Sequence, residues 1–140
     1  MPADPRIEYG IHPAEDAQYR PGVCNIGTAE IARRRRAGHV GAAATVGLLA
    51  GLVVIGAPRV ARVSVALPAA MAASGYIQAH LRFCAGFGSR GVFNFGPLGE
   101  TYAVTDADAL ARDRLRSRQI GLASLAIGVA TGALAVAIPA

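Results

Sequence analysis

The 140-residue chain has no tryptophan and no lysine, and only 16% of its residues are charged. A soluble globule carries about 25% charged residues, so this shortage separates the chain from one. With 53% hydrophobic residues, low charge also excludes disorder for the bulk of the chain. No Ser-His-Asp set is visible, and the few acids show no paired arrangement, so nothing points to an enzyme.

What charge there is avoids three stretches. Residues 40–58, 63–81 and 119–140 (19, 19 and 22 residues) contain no Asp, Glu, Lys or Arg. A helix of that length is about 28 Å long, close to the thickness of a bilayer's hydrocarbon core. In lipid the backbone must satisfy its own hydrogen bonds, which a helix does. A soluble bundle needs polar outer faces that these segments lack. The expected fold is an all-α integral membrane protein with three transmembrane helices, at about 39–58, 63–82 and 119–139. Because the spans hold no charge, a transporter or channel is disfavoured.

All 14 basic side chains are arginines, and their positions set the expected orientation. Arg33, Arg34, Arg35 and Arg36 abut the first span, whereas the first hairpin turn holds only Arg59 and Arg62. Six more lie between the second and third spans, and with Arg6 and Arg20 the split is 12 against 2. The positive-inside rule puts the N-terminus in the cytoplasm and the C-terminus outside. The net charge of +5 is then explained by topology and anionic lipid headgroups at Arg33, Arg34, Arg35 and Arg36, with no nucleic acid as partner.

Residues 1–23, with Pro2, Pro5, Pro13 and Pro21, read as an extended cytoplasmic arm ahead of a three-span domain at 24–140. A helix can start from Asn25 or Thr28, with Glu30 in its first turn. Pro68 predicts a kink in the second span. The stretch 83–104 gathers all four phenylalanines, Phe83, Phe87, Phe93 and Phe95, among glycines. It is expected to be a cytoplasmic loop that either lies at the membrane interface or binds a partner. Thr105 is expected to cap the helix that continues into the third span. Gly86-Phe87-Gly88-Ser89-Arg90-Gly91 spells G-x-G-x-x-G, but a membrane helix in place of a strand precedes it, so no dinucleotide is expected there.

Small residues recur every fourth position on two spans: Ala43, Gly47 and Gly51 on the first, Ser124, Gly128 and Gly132 on the third. Such faces let helix backbones approach closely. They pack either against each other or into other membrane subunits, a second copy included. Cys24, His39, His80 and Cys84 fall near the cytoplasmic ends of the first two spans. They form a candidate ligand set for zinc, or for haem through the histidines, although their spacing matches no compact metal motif. A structural disulfide is not expected in the cytoplasm. Arg82 and Arg90 beside Cys84 make that thiol a candidate reactive group.

Asn25-Ile26-Gly27, then Arg33 to Arg36, Gly38, a helical hairpin, and Phe83-Cys84 followed by Gly88 and Asn94-Phe95 resemble the YgaP-like transmembrane domain. The resemblance covers about residues 24–96. It implies a small bacterial inner-membrane helical hairpin, found alone or fused to rhodanese sulfurtransferase domains, with a link to sulfur chemistry. This chain departs from that pattern: it lacks a Cys after Asn94 and a Cys-Pro pair after the second helix, and it adds a third span. The functional expectation is a non-enzymatic accessory or scaffold subunit of a larger bacterial membrane assembly. The alternative is a membrane protein with a cytoplasmic-face metal, haem or thiol site serving redox or sulfur handling.

Overall fold

The computed structural model describes residues 18–139; most of the expected arm (residues 1–17) and residue 140 lie outside them. Helix α1 spans Thr28–Val54. A 3-10 segment, Arg59–Val65, leads into α2, Ala66–Leu81. The short α3 is Ala85–Arg90, and α4 is the 31-residue helix Ala107–Ala137. Strands β1 (Val92–Phe93) and β2 (Tyr102–Ala103) pair antiparallel, Val92 opposite Ala103 and Phe93 opposite Tyr102. The protein is mostly helical, and Thr28–Val54, Arg59–Leu81 and Ala107–Ala137 are each long and apolar enough to cross a membrane.

Several local expectations shift. The stretch expected to be a loop contains α3 and the β1–β2 ladder, so the fold is not purely helical. The G-x-G-x-x-G run is α3 itself plus its C-terminal Gly91, whose φ of 71° ends the helix in the left-handed region. Asp106, rather than Thr105, caps α4, its Oδ2 accepting from the Ala109 N–H at 2.8 Å. Helix α1 begins after Gly27, whose carbonyl accepts from Ile31 N–H; Asn25 is employed elsewhere. Pro68 sits in the first turn of α2, directly after the 3-10 segment gives way to the α-helix.

The chain divides into two compact units. The first, here the lobe, comprises residues 18–33 and Gln78–Ile120. Its core is Ile26, Phe83, Cys84, Phe87 and Phe93, all buried. The second, here the helical unit, comprises Arg34–Ile77 with residues 121–139. Its buried positions are mostly small (Ala69, Ala72, Ala73, Ala135), while Val46, Val54, Leu67, Leu122 and Leu134 are exposed. Large side chains outside and small ones inside is the reverse of a water-soluble bundle.

Candidate functional site

In the helical unit, helices meet at glycines. A Cβ on Gly75 would lie 2.5 Å from Gly38 N and 2.7 Å from Arg34 O, and one on Gly41 would lie 2.6 Å from Ala72 N. Backbone touches backbone there, which brings the first span onto the second. The third span is seated the same way: a Cβ on Gly128 would lie 2.6 Å from both Ala66 O and Ala70 Cβ, and one on Gly132 would lie 3.0 Å from Ala66 Cβ. Ser124, Gly128 and Gly132 are all buried, and the two glycines lie against the second span.

Ala43, Gly47 and Gly51 are arranged differently. All three are exposed, and no described atom lies within 4 Å of a Cβ built on Gly47 or Gly51. The apolar window of α1 is 11% buried, against 28% for each of the other two spans. Among the described residues, one of the two small-residue faces is occupied and the other is bare.

The lobe is organised by buried polar groups. Asn25 is fully buried and clamps the backbone of Cys84, whose N–H donates to Asn25 Oδ1 at 2.7 Å while Nδ2 donates to the Cys84 carbonyl at 3.1 Å. The Asn25 backbone N–H donates to Arg82 O, and its carbonyl accepts from Asn94 N–H. Asn94, also fully buried, receives Gly27 N–H on its carbonyl and Gly96 N–H on its side chain. Asp113 on α4 accepts from the Tyr19 hydroxyl at 2.6 Å and from the Gly22 N–H at 2.7 Å, which holds the turn before α1. Tyr19 in turn stacks on Phe93 at 4.8 Å.

The phenylalanines supply this core: Phe83, Phe87 and Phe93 are buried and Phe95 is half-buried. Apolar rings between glycines pack inward once α3 and the ladder form. Arg33, Arg34, Arg35 and Arg36 lie on α1, three of them exposed and Arg34 half-buried, with Arg33 4.0 Å from the buried Glu30 carboxylate.

Cys24, His80 and Cys84 belong to the lobe and His39 to the helical unit. Cys84 is buried, and its sulfur accepts from Phe87 N–H at 3.4 Å, starting α3. Cys24 is half-buried, and neither cysteine is in a disulfide. His39 Nδ1 lies 2.6 Å from the Tyr76 hydroxyl. Among the described residues, no three His, Cys, Asp or Glu side chains gather to hold a metal ion. Within their own units, Cys84 serves as a helix cap and His39 lies against Tyr76.

The residues that organise the lobe (Tyr19, Asn25, Asn94 and Asp113) were not singled out by sequence as a group. One signal was present for Asp113. Ala109, Asp113, Ser117, Ile120, Ser124, Gly128, Gly132 and Ala135 recur at intervals of three and four, and every one is buried. An acid inside a stripe of small buried residues marks a position with a partner. In comparisons with family models, curated proteins and solved structures, the chain matches none.

Proposed function

We propose that the chain is an integral protein of the bacterial inner membrane, N-terminus cytoplasmic, that acts as a non-enzymatic accessory or scaffold subunit of a larger membrane assembly. Its first span docks on a partner helix through Ala43, Gly47 and Gly51. The observation that carries this reading is the contrast among the span glycines. Gly38, Gly41, Gly75, Gly128 and Gly132 are pressed against backbone or side chains, whereas Gly47 and Gly51 face open space. Glycine in a helix interior costs about 1 kcal/mol relative to alanine, and close backbone approach is the return it gives in lipid. Two glycines in register with no neighbour among the described residues gain that return from another helix. The arginine distribution, 12 against 2, supports the orientation.

The test is substitution at the bare face. Gly47→Leu and Gly51→Leu are expected to leave the isolated protein as stable as the parent, since nothing there clashes. They are expected to abolish co-purification of the partner subunit in mild detergent. Variants that keep the same co-purifying proteins would sink the docking face. Orientation is read separately: an impermeant thiol reagent outside intact cells is expected to leave Cys24 unlabelled, and labelling would reverse the topology.

A further inference from the structure

A second feature of the lobe stands apart from the bare helix face. Pro21, Gly22, Arg112, Leu115, Arg116 and Gln119 line an open cleft of about 230 Å³. We propose that this cleft binds the phosphodiester headgroup of an anionic lipid, with Arg112, Arg116 and Gln119 as the polar contacts. The proposal rests on the membrane reading above.

Three observations support it. The first is spare donor capacity. Arg112 and Arg116 are one helical turn apart on α4, and both line the cleft. A guanidinium has five N–H donors and no acceptor. Arg116 places Nη1 3.5 Å from Gln119 Oε1 and is half-buried. Arg112 is exposed. Paired guanidiniums present forks that match anions with two free oxygens, as a phosphodiester has.

The second is that the wall opposite the arginines is held in place. Both oxygens of Asp113 accept from the turn, one from Tyr19 and one from Gly22. The acid next in sequence to Arg112 thus faces the turn and is satisfied there. Gly22 has φ +70°, and a Cβ on it would lie 3.2 Å from Arg112 Cβ. Glycine suits this left-handed turn, which runs close against the helix and forms one side of the cleft.

The third is depth. The charge-free run of the third span begins at Gln119, on the same continuous helix. At 1.5 Å per residue, Arg116 lies about 4.5 Å and Arg112 about 10 Å before that boundary. The headgroup layer on each side of a bilayer is roughly 5–8 Å thick. The two guanidiniums therefore bracket the level at which lipid phosphates sit. Leu115, exposed on the cleft wall, together with Pro21 gives an amphiphile an apolar contact that free phosphate cannot use.

The purified full chain in neutral detergent micelles is titrated with phosphatidylglycerol or phosphatidylcholine, and retained lipid is counted by native mass spectrometry. Phosphatidylglycerol is expected to be retained roughly tenfold more tightly, the factor that about 1.4 kcal/mol supplies. The doubly substituted R112Q/R116Q protein is expected to lose that preference. Arg114→Gln, an exposed arginine between the two in depth and outside the cleft lining, is expected to keep it. Should the double variant not fold, the parent's preference between the two lipids decides alone. Equal retention of both lipids overturns the site, as does a preference that survives R112Q/R116Q. Displacement of phosphatidylglycerol by millimolar inorganic phosphate, with phosphate bound in its stead, assigns the cleft to a soluble anion and overturns the lipid. A chain that stays monodisperse without detergent overturns the membrane reading and this site together. A detergent-dependent chain without lipid preference overturns the site alone.

Discussion

The lobe and the helical unit solve the same problem, bringing chain segments close, with opposite chemistry. In the lobe, buried side-chain amides and a carboxylate hold backbone groups directly: Asn25 on Cys84, Asp113 on Gly22. In the helical unit the close contacts are made by removing side chains, as at Gly75 against Gly38 and Gly128 against Ala66. The difference follows from what drives association in each setting. A short, irregular segment has backbone donors and acceptors that must be satisfied when buried, so polar side chains are worth their desolvation. A long helix has satisfied its backbone already, and in lipid it gains from contact area at close approach.

Breaking the lobe's central amide is expected to have the largest effect. Asn25→Ala takes the acceptor from the buried Cys84 N–H and empties a fully buried side-chain volume, together roughly 3 kcal/mol, while the Cys84 carbonyl keeps the Gly88 N–H. Cys84 is buried beneath that contact, so its thiol reports the damage. In a Cys24→Ser background, the rate at which a maleimide labels Cys84 is expected to rise about a hundredfold, the factor that corresponds to roughly 3 kcal/mol of easier opening. An unchanged rate would show that the lobe is held by its aromatic core and that Asn25 is dispensable.

The comparison sharpens inside the helical unit, where one substitution is expected to act differently at the two small-residue faces. Gly128→Ala puts a methyl 2.6 Å from Ala66 O and should cost about 1–3 kcal/mol, seen as a lower thermal midpoint in detergent. Gly47→Ala meets nothing within 4 Å among the described residues and should change stability by no more than about 0.5 kcal/mol. Equal losses at both positions would mean that the first span's face is occupied within a dimer even in the purified state.

How much of this was legible in the sequence depends on the kind of contact. The three long apolar helices are written in composition: charge-free runs of 19 residues and more leave few alternatives. The occupied face of α4 was legible as Ser124, Gly128 and Gly132, but its partner was not, because small-residue spacing carries no address. Gly38 and Gly41, which seat the first span, stand apart from the Ala43, Gly47 and Gly51 register that spacing favoured. The lobe was least legible. Its order depends on contacts between residues 25 and 84, 25 and 94, and 19 and 113, separations at which local pattern is silent. The phenylalanines among glycines read as an interfacial or partner-binding loop for the same reason: nothing local says that the rings turn inward. His39, His80, Cys24 and Cys84 were grouped by proximity to span ends, whereas side-chain direction and competing partners decide whether ligands converge.

The smallest effect expected is at the end of α2, where the lobe uses a side chain that its backbone disfavours. Arg82 has φ +54°, and it is the one non-glycine residue with positive φ among the described residues. Around it, Phe83 N–H donates to Gln78 O at 3.1 Å and Arg82 N–H approaches Ala79 O at 3.4 Å. That is the pattern of a helix closed by a left-handed residue, a position glycine usually fills. A side chain in that conformation costs about 1–2 kcal/mol. Glycine in its place removes that cost but adds freedom to the unfolded chain, worth roughly 0.4–1 kcal/mol the other way. Arg82→Gly should therefore stabilise the lobe by about 0.5–1 kcal/mol, slowing Cys84 labelling severalfold. The carbonyl of residue 82 still accepts from Asn25, so the central clamp is undisturbed by the change. Faster labelling in Arg82→Gly would show instead that the arginine side chain contributes more to the lobe than its backbone strain takes away.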